Sequence, residues 1–153
     1  MKAINGHTMA YVAIYGESPP EIQVGQKGST RLWRGHKIDS NLKDKWLKAV
    51  NDIRFVEVVS LCGGHGPLRP SHIIFYFKHK RNDKEAVEIS GILNNIHGLW
   101  SIVDEGNRGR PRICVAAPVR ADTPKGNIWW STISGIIDDC LIIDLDWIPG
   151  EKT

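Results

Sequence analysis

The chain has 153 residues, 41% hydrophobic and 24% charged, with a net charge of +3. That size and balance exclude a disordered tail and fit one domain that buries a core without help from a metal or disulfide. No apolar run approaches the ~18 residues of a membrane span, and three cysteines, Cys62, Cys114 and Cys140, at no framework spacing argue for a reducing, cytoplasmic setting. The opening Met-Lys-Ala-Ile-Asn-Gly-His-Thr-Met lacks the apolar centre of a secretory signal, so none is expected. Charge is distributed unevenly: residues 25–84 carry 13 Lys/Arg against 5 Asp/Glu, and residues 85–153 carry 6 against 10. A basic middle suggests an anionic partner.

The first 36 residues read as β-rich. Ala10 to Tyr15 is bounded by Gly16 and Ser18-Pro19-Pro20, with shorter strand candidates at Ile22–Gln26 and Arg31–Arg34. Ser40 is placed to cap a helix whose Leu42, Trp46, Val50 and Ile53 form one apolar face. Strands are predicted at Phe55–Leu61 and His72–Phe77, then a helix over Glu85–Ile96 with Gly98 beyond its end. Leu99–Val103 and Arg112–Ala117 read as strands. Trp129, Ile133, Ile136, Ile137 and Cys140 give a third helical stripe, and Leu141–Trp147 is read as a last strand on its alternating Asp144 and Asp146. This order predicts a single α+β domain over residues 1–153, with an antiparallel or mixed sheet and about three helices mainly on one face.

Residues 62–70, Cys-Gly-Gly-His-Gly-Pro-Leu-Arg-Pro, are more than a hairpin connection between two buried strands requires. Glycines let backbone approach a ligand closely, Arg69 offers a planar cationic fork for phosphate, and Ser71 and His72 add hydrogen-bonding groups. Three chemistries compete for this loop. Cys62 and His65 could be half of a zinc site completed by His72, Cys114 or Cys140. Cys62 could be a nucleophile activated by a histidine. Finally, Arg69 and the amides of Gly64, His65 and Gly66 could grip a phosphate with no bond chemistry, as an anion nest. The third uses most of the unusual residues and is preferred, with no metal or cofactor expected.

The run Val56–Gly66 followed by Arg69-Pro70-Ser71-His72-Ile73-Ile74-Phe75 resembles a pattern in small phage-encoded proteins, the anti-Thoeris sponges that sequester cyclic ADP-ribose signals. The resemblance spans roughly residues 40–140. It implies a compact α+β protein in the host cytoplasm that binds its nucleotide non-covalently, forms a homodimer or higher oligomer and, in some members, takes cyclic oligonucleotides. It places phosphate-binding arginines at Arg69 and Arg120. This chain differs in having Leu61 before Cys62, two glycines before His65, and an N-terminal region without a counterpart. The same turn is also similar to that of the wybutosine-synthesis methyltransferases acting on transfer RNA, although His65 stands where they have an arginine.

Other candidates follow from residue type. Arg120 and Lys125 could close on a phosphate held by the loop. Arg108, Arg110 and Arg112, with Lys78, Lys80 and Arg81, could mark a nucleic-acid footprint, a partner less favoured than a small nucleotide. Of the six tryptophans, Trp46 and Trp129 fit core stripes, and Trp100 is the first candidate to stack on a base. Asp138, Asp139, Asp144 and Asp146 read as an exposed acidic face. The expected function is therefore sequestration of a small cyclic nucleotide signal without cleavage. The alternatives are a Cys/His- or metal-dependent enzyme acting on a nucleotide or RNA, and a protein–protein inhibitor with exposed tryptophans as its hot spot.

Overall fold

The structure, a computed structural model, describes residues 5–20, 29–78, 83–107 and 110–141. In chain order it comprises α1 (Gly6–Tyr15), β1 (Thr30–Trp33), β2 (His36–Asp39), α2 (Asp44–Asn51), β3 (Val56–Cys62), β4 (Ser71–Phe77), α3 (Asp83–Asn94), β5 (Trp100–Asn107), β6 (Arg110–Ala117) and α4 (Pro124–Asp139). The last four strands form one antiparallel sheet in the order β3-β4-β6-β5, and β1-β2 is a separate hairpin. The fold is α+β, as its alternation of elements predicts.

Strand periodicity divides the core in two. Ile73, Phe75, Ile113 and Val115 point to the face covered by α2, α3 and α4, where they meet Trp46, Leu47, Ile89, Leu93, Trp130 and Ile133. Trp46 and Trp130 lie nearly parallel, 6.2 Å apart, so both are core. Residues of opposite parity, Ile74, Cys114 and Ala116, face the other way and pack beneath Met9 and Ala10 of α1. The sheet is thus covered on both faces, which explains why β4 is buried along its whole length.

The N-terminal segment corrects the β-rich reading of residues 1–36. Ala10–Tyr15 lies in a helix, capped by the Asn5 side chain, which accepts from the amides of His7 and Thr8, and ended by Gly16 at φ 76°. Its β-branched and aromatic residues favour strand locally, but Met9 with Ala13, and Ala10 with Ile14, repeat at four residues and bury one helical face. Arg31–Arg34 is a strand in part: β1 turns into β2 through Arg34 and Gly35, both at positive φ (50° and 80°), the geometry a two-residue hairpin turn demands. Ser40 does not cap α2. The cap position is Lys43, without a side-chain bond, and Ser40 instead pairs with Ser29 across the base of the hairpin. Arg31 ties the hairpin to α2 by donating to the Leu42 carbonyl (2.6 Å) and to Asp44 (2.5 Å).

Residues 22–26 and 142–147, both read as strands, lie outside the described residues. No helix among the described residues is long and apolar enough to cross a membrane. Met9 is fully buried between α1 and the sheet. Met9→Ala is expected to lower unfolding free energy by about 2–5 kcal/mol in urea denaturation. A change within a few tenths would mean that α1 does not cover this face.

Candidate functional site

Sheet register assembles the site. Cys62, the last residue of β3, lies directly opposite His72 on β4, so both side chains project on the α1 side of the sheet, in line with Ile74. The first turn of α1 closes over them. A Cβ on Gly6 would stand 3.7 Å from His72 Nε2 and 3.2 Å from Ile74, and the rings of His7 and His72 meet edge to face at 5.4 Å. After Cys62 the chain folds back, bringing His65 to Asp39 at the end of β2, with Nε2 3.1 Å from Oδ2.

Asp39 organises this corner. The same Oδ2 accepts the Gly63 amide at 2.8 Å, and the Cys62 thiol lies beside it, the ligand atoms of Asp39, Cys62 and His65 all standing within 4.8 Å of one another. Asn41 donates to the Gly63 and Gly64 carbonyls, each at 3.3 Å. On its other side the loop rests on the segment after β6: the Ala121 amide donates to the Gly63 carbonyl (2.7 Å). Gly64 sits at φ 86°, and a Cβ there would stand 2.5 Å from the Val119 carbonyl oxygen, so no other residue fits without a shift. Gly66 and Arg69 bracket a tight turn, with His65 N–H on the Arg69 carbonyl at 2.9 Å and Arg69 N–H on that of Gly66 at 3.1 Å.

Of the three amides expected in a nest, that of His65 is spent on the Arg69 carbonyl. The amides of Gly63, His65 and Arg69 donate within the protein, so part of the loop's polarity is turned inward. Arg69 remains. Its Nε is buried without a hydrogen-bond partner, and among the described residues no carboxylate lies within 4 Å of its guanidinium. It lines a cleft of about 420 Å³ with Lys37, Asp39, Cys62, His65 and His7.

The other expected ligand residues lie elsewhere. Arg120 is held in a double hydrogen bond by Asp122 (3.1 and 2.7 Å) and lines a different cleft of about 730 Å³ with Tyr15, Pro67, Pro124 and Lys125. His65 and Gly64 share only a small recess with Arg120. Ser71 is fully buried and structural: its hydroxyl donates to the Val119 carbonyl (2.8 Å) and accepts from Trp130 Nε1 (3.0 Å). Trp100 sits at the start of the outer strand β5, half-buried against the larger core, and lines neither the cleft of Arg69 nor that of Arg120. Of the arginines read as a nucleic-acid footprint, Arg112 is paired with buried Asp104 and Arg110 donates to the Phe77 carbonyl (2.9 Å) while covering the Tyr76 ring. Arg108, Lys80 and Arg81 lie outside the described residues.

Two residues of the site were not singled out from sequence, His7 and Asp39. His7 follows an Asn cap that also marks α1, and Asp39 ends a short strand before Ser40-Asn41. Together, His7, Cys62 and His72 form one group whose ligand atoms all lie within 4.8 Å of one another, and Asp39, Cys62 and His65 form a second. Cys114 and Cys140, the other thiols considered for a zinc site, are buried elsewhere.

Burial dominates the proton equilibria. It pushes the Cys62 thiol up to about 12, the Asp39 carboxylate adding to the effect against the Gly64 amide. Such a thiol stays protonated and is a poor nucleophile. Burial also lowers His7, with Arg69 assisting, and holds His72 down at about 4 against the hydrogen bond to the Pro70 carbonyl. Because the folded value for His72 lies below its ordinary 6.5, the unfolded chain takes up that proton first. Its contribution is complete above about pH 6.5 and is lost as pH falls toward 4, by an amount on the order of a few kcal/mol. Urea unfolding in chelator-containing buffer between those limits is expected to show this decline, and His72→Gln is expected to flatten it. An equal slope in both proteins would contradict a buried neutral His72.

Comparison with protein-family models, curated proteins and solved structures finds no match to this chain.

Proposed function

We propose that the protein binds a small phosphorylated nucleotide, of the cyclic signalling class, in the Arg69 cleft and sequesters it intact. The observation that carries this reading is Arg69: a partly buried guanidinium without a carboxylate partner among the described residues, facing a polar cleft beside Lys37. A buried cation without a counter-ion is costly, and an anionic ligand offsets that cost. The cleft, about 420 Å³, falls within the range of small-molecule sites. The excess of basic residues over positions 25–84 adds a favourable field for an anion. The likeness of the loop to the sponge pattern points in the same direction.

Sequestration rather than thiol chemistry is favoured by Cys62 itself, whose burial beside the Asp39 carboxylate holds the thiol protonated. The histidines around Cys62 favour one alternative, an enzyme acting on the same class of ligand. The two readings part on the fate of the ligand.

A thermal-shift screen with cyclic ADP-ribose isomers and cyclic di- and trinucleotides, followed by mass spectrometry of the released ligand, is expected to give a stabilising ligand recovered intact. Recovery of a cleaved product would select the enzyme. Arg69→Ala removes a charge-assisted contact of about 1.5–3 kcal/mol and is expected to weaken binding roughly ten- to a hundredfold by calorimetry. Unchanged affinity would move the ligand out of this cleft.

A further inference from the structure

We propose that Cys62, His7 and His72 form a three-ligand site for a zinc-class transition-metal ion, with the fourth coordination position opening into the Arg69 cleft. The three residues come from three elements, β3, α1 and β4, and their ligand atoms all lie within 4.8 Å of one another. Ligands of a single tetrahedral zinc stand about 3.3–3.8 Å apart, given Zn–S near 2.3 Å and Zn–N near 2.0–2.1 Å. Closing on a metal therefore needs adjustment on the order of 1 Å.

The surroundings of each ligand support the assignment. His72 Nδ1 lies 3.1 Å from the Pro70 carbonyl oxygen, which only accepts, so this nitrogen carries the hydrogen and Nε2 keeps its lone pair. A second ring nitrogen tied to backbone is how ligating histidines are oriented, and Nε2 is the atom that faces the first turn of α1. The Nδ1 of His7 is buried with no hydrogen-bond partner, a condition native interiors avoid unless something else satisfies the group. The competing set, Asp39 and His65 with the same Cys62, is already satisfied internally, since Asp39 takes the Gly63 amide and His65 Nε2. It forms the surroundings of the site and not its ligand set.

One thiolate and two imidazoles select zinc or cobalt over magnesium or calcium, which take oxygen ligands. Three protein ligands is the number found where a metal keeps an exchangeable position. Both His7 and Cys62 line the cleft that holds Arg69, so that position faces the same space. Binding exchanges the Cys62 proton for a metal–sulfur bond, and the proton leaves to solvent. The metal site does not depend on the nucleotide reading; only the identity of the fourth ligand, a phosphate oxygen, rests on it.

The test is titration of the full chain, stripped with chelator, with Co²⁺ alone. One equivalent per chain is expected, with a thiolate-to-cobalt charge-transfer band in the near ultraviolet that zinc abolishes. Cys62→Ser is expected to lose the band, and His7→Gln, in the first turn of α1, to weaken cobalt binding roughly tenfold or more. Both variants are checked for cooperative thermal unfolding. Arg69→Ala is expected to keep the cobalt spectrum, whatever it does to nucleotide affinity, which separates failure of this site from failure of the ligand reading. No charge-transfer band in the parent protein, or the same band in Cys62→Ser, would overturn the proposal.

Discussion

The carboxylate of Asp39 is the interaction on which the site depends. It is largely enclosed at the end of a two-stranded hairpin, where it accepts from the Gly63 amide, approaches His65 Nε2 and lies beside the Cys62 thiol. A buried anion with this many donors is well satisfied. Losing either partner leaves the other to hold it, but removing the carboxylate orphans the Gly63 amide and His65 Nε2 at once. The hairpin β1-β2 is therefore part of the site. Its positive-φ turn at Arg34-Gly35 and the hold of Arg31 on α2 fix where Asp39 can stand.

The rest of the architecture makes the loop rigid on one side and open on the other. Toward α4, Gly64 packs on the Val119 carbonyl and Ser71 is locked between that carbonyl and Trp130. Movement there would strand buried polar groups. Toward α1, the loop meets a cleft containing cationic and imidazole side chains. Sheet parity decides which groups appear: Cys62 opposes His72, and a slip of one residue in β3 would turn Cys62 away from α1 while His72, registered against β6, stayed. The bulge between Val58 and Ser60 sets that register, since it returns Ser60 and Cys62 to the α1 face.

Much of the fold was legible in the sequence because its signals were strong and local. The apolar period of α4 through Trp129, Ile133 and Ile137, and the β-branched runs of β3 and β4, lead to the elements observed. The N-terminal helix was not legible by the same route. Tyr11, Val12, Ile14 and Tyr15 have strand preferences, and the burial that overrides them comes from the sheet, which is distant in sequence. Asn5 and Gly16 were the available signals, a cap and a left-handed stop. The loop at 62–70 stood out by its glycines and its Arg69. Its partners did not, because His7 and Asp39 lie 55 and 23 residues before Cys62 and are brought to it only by helix docking and hairpin closure. The inward bonds of the loop were hidden for a related reason: Asp39, a side chain from another element, takes the Gly63 amide, and the His65 amide turns back onto the Arg69 carbonyl.

The central claim, that Asp39 holds the loop and through it the Cys62–histidine corner, is tested most directly by amide hydrogen exchange on Asp39→Ala beside the parent protein. The account predicts faster exchange across residues 62–66, led by Gly63, while β4 and β6 keep their protection. Protection of Gly63 retained at the parental level in Asp39→Ala would contradict it.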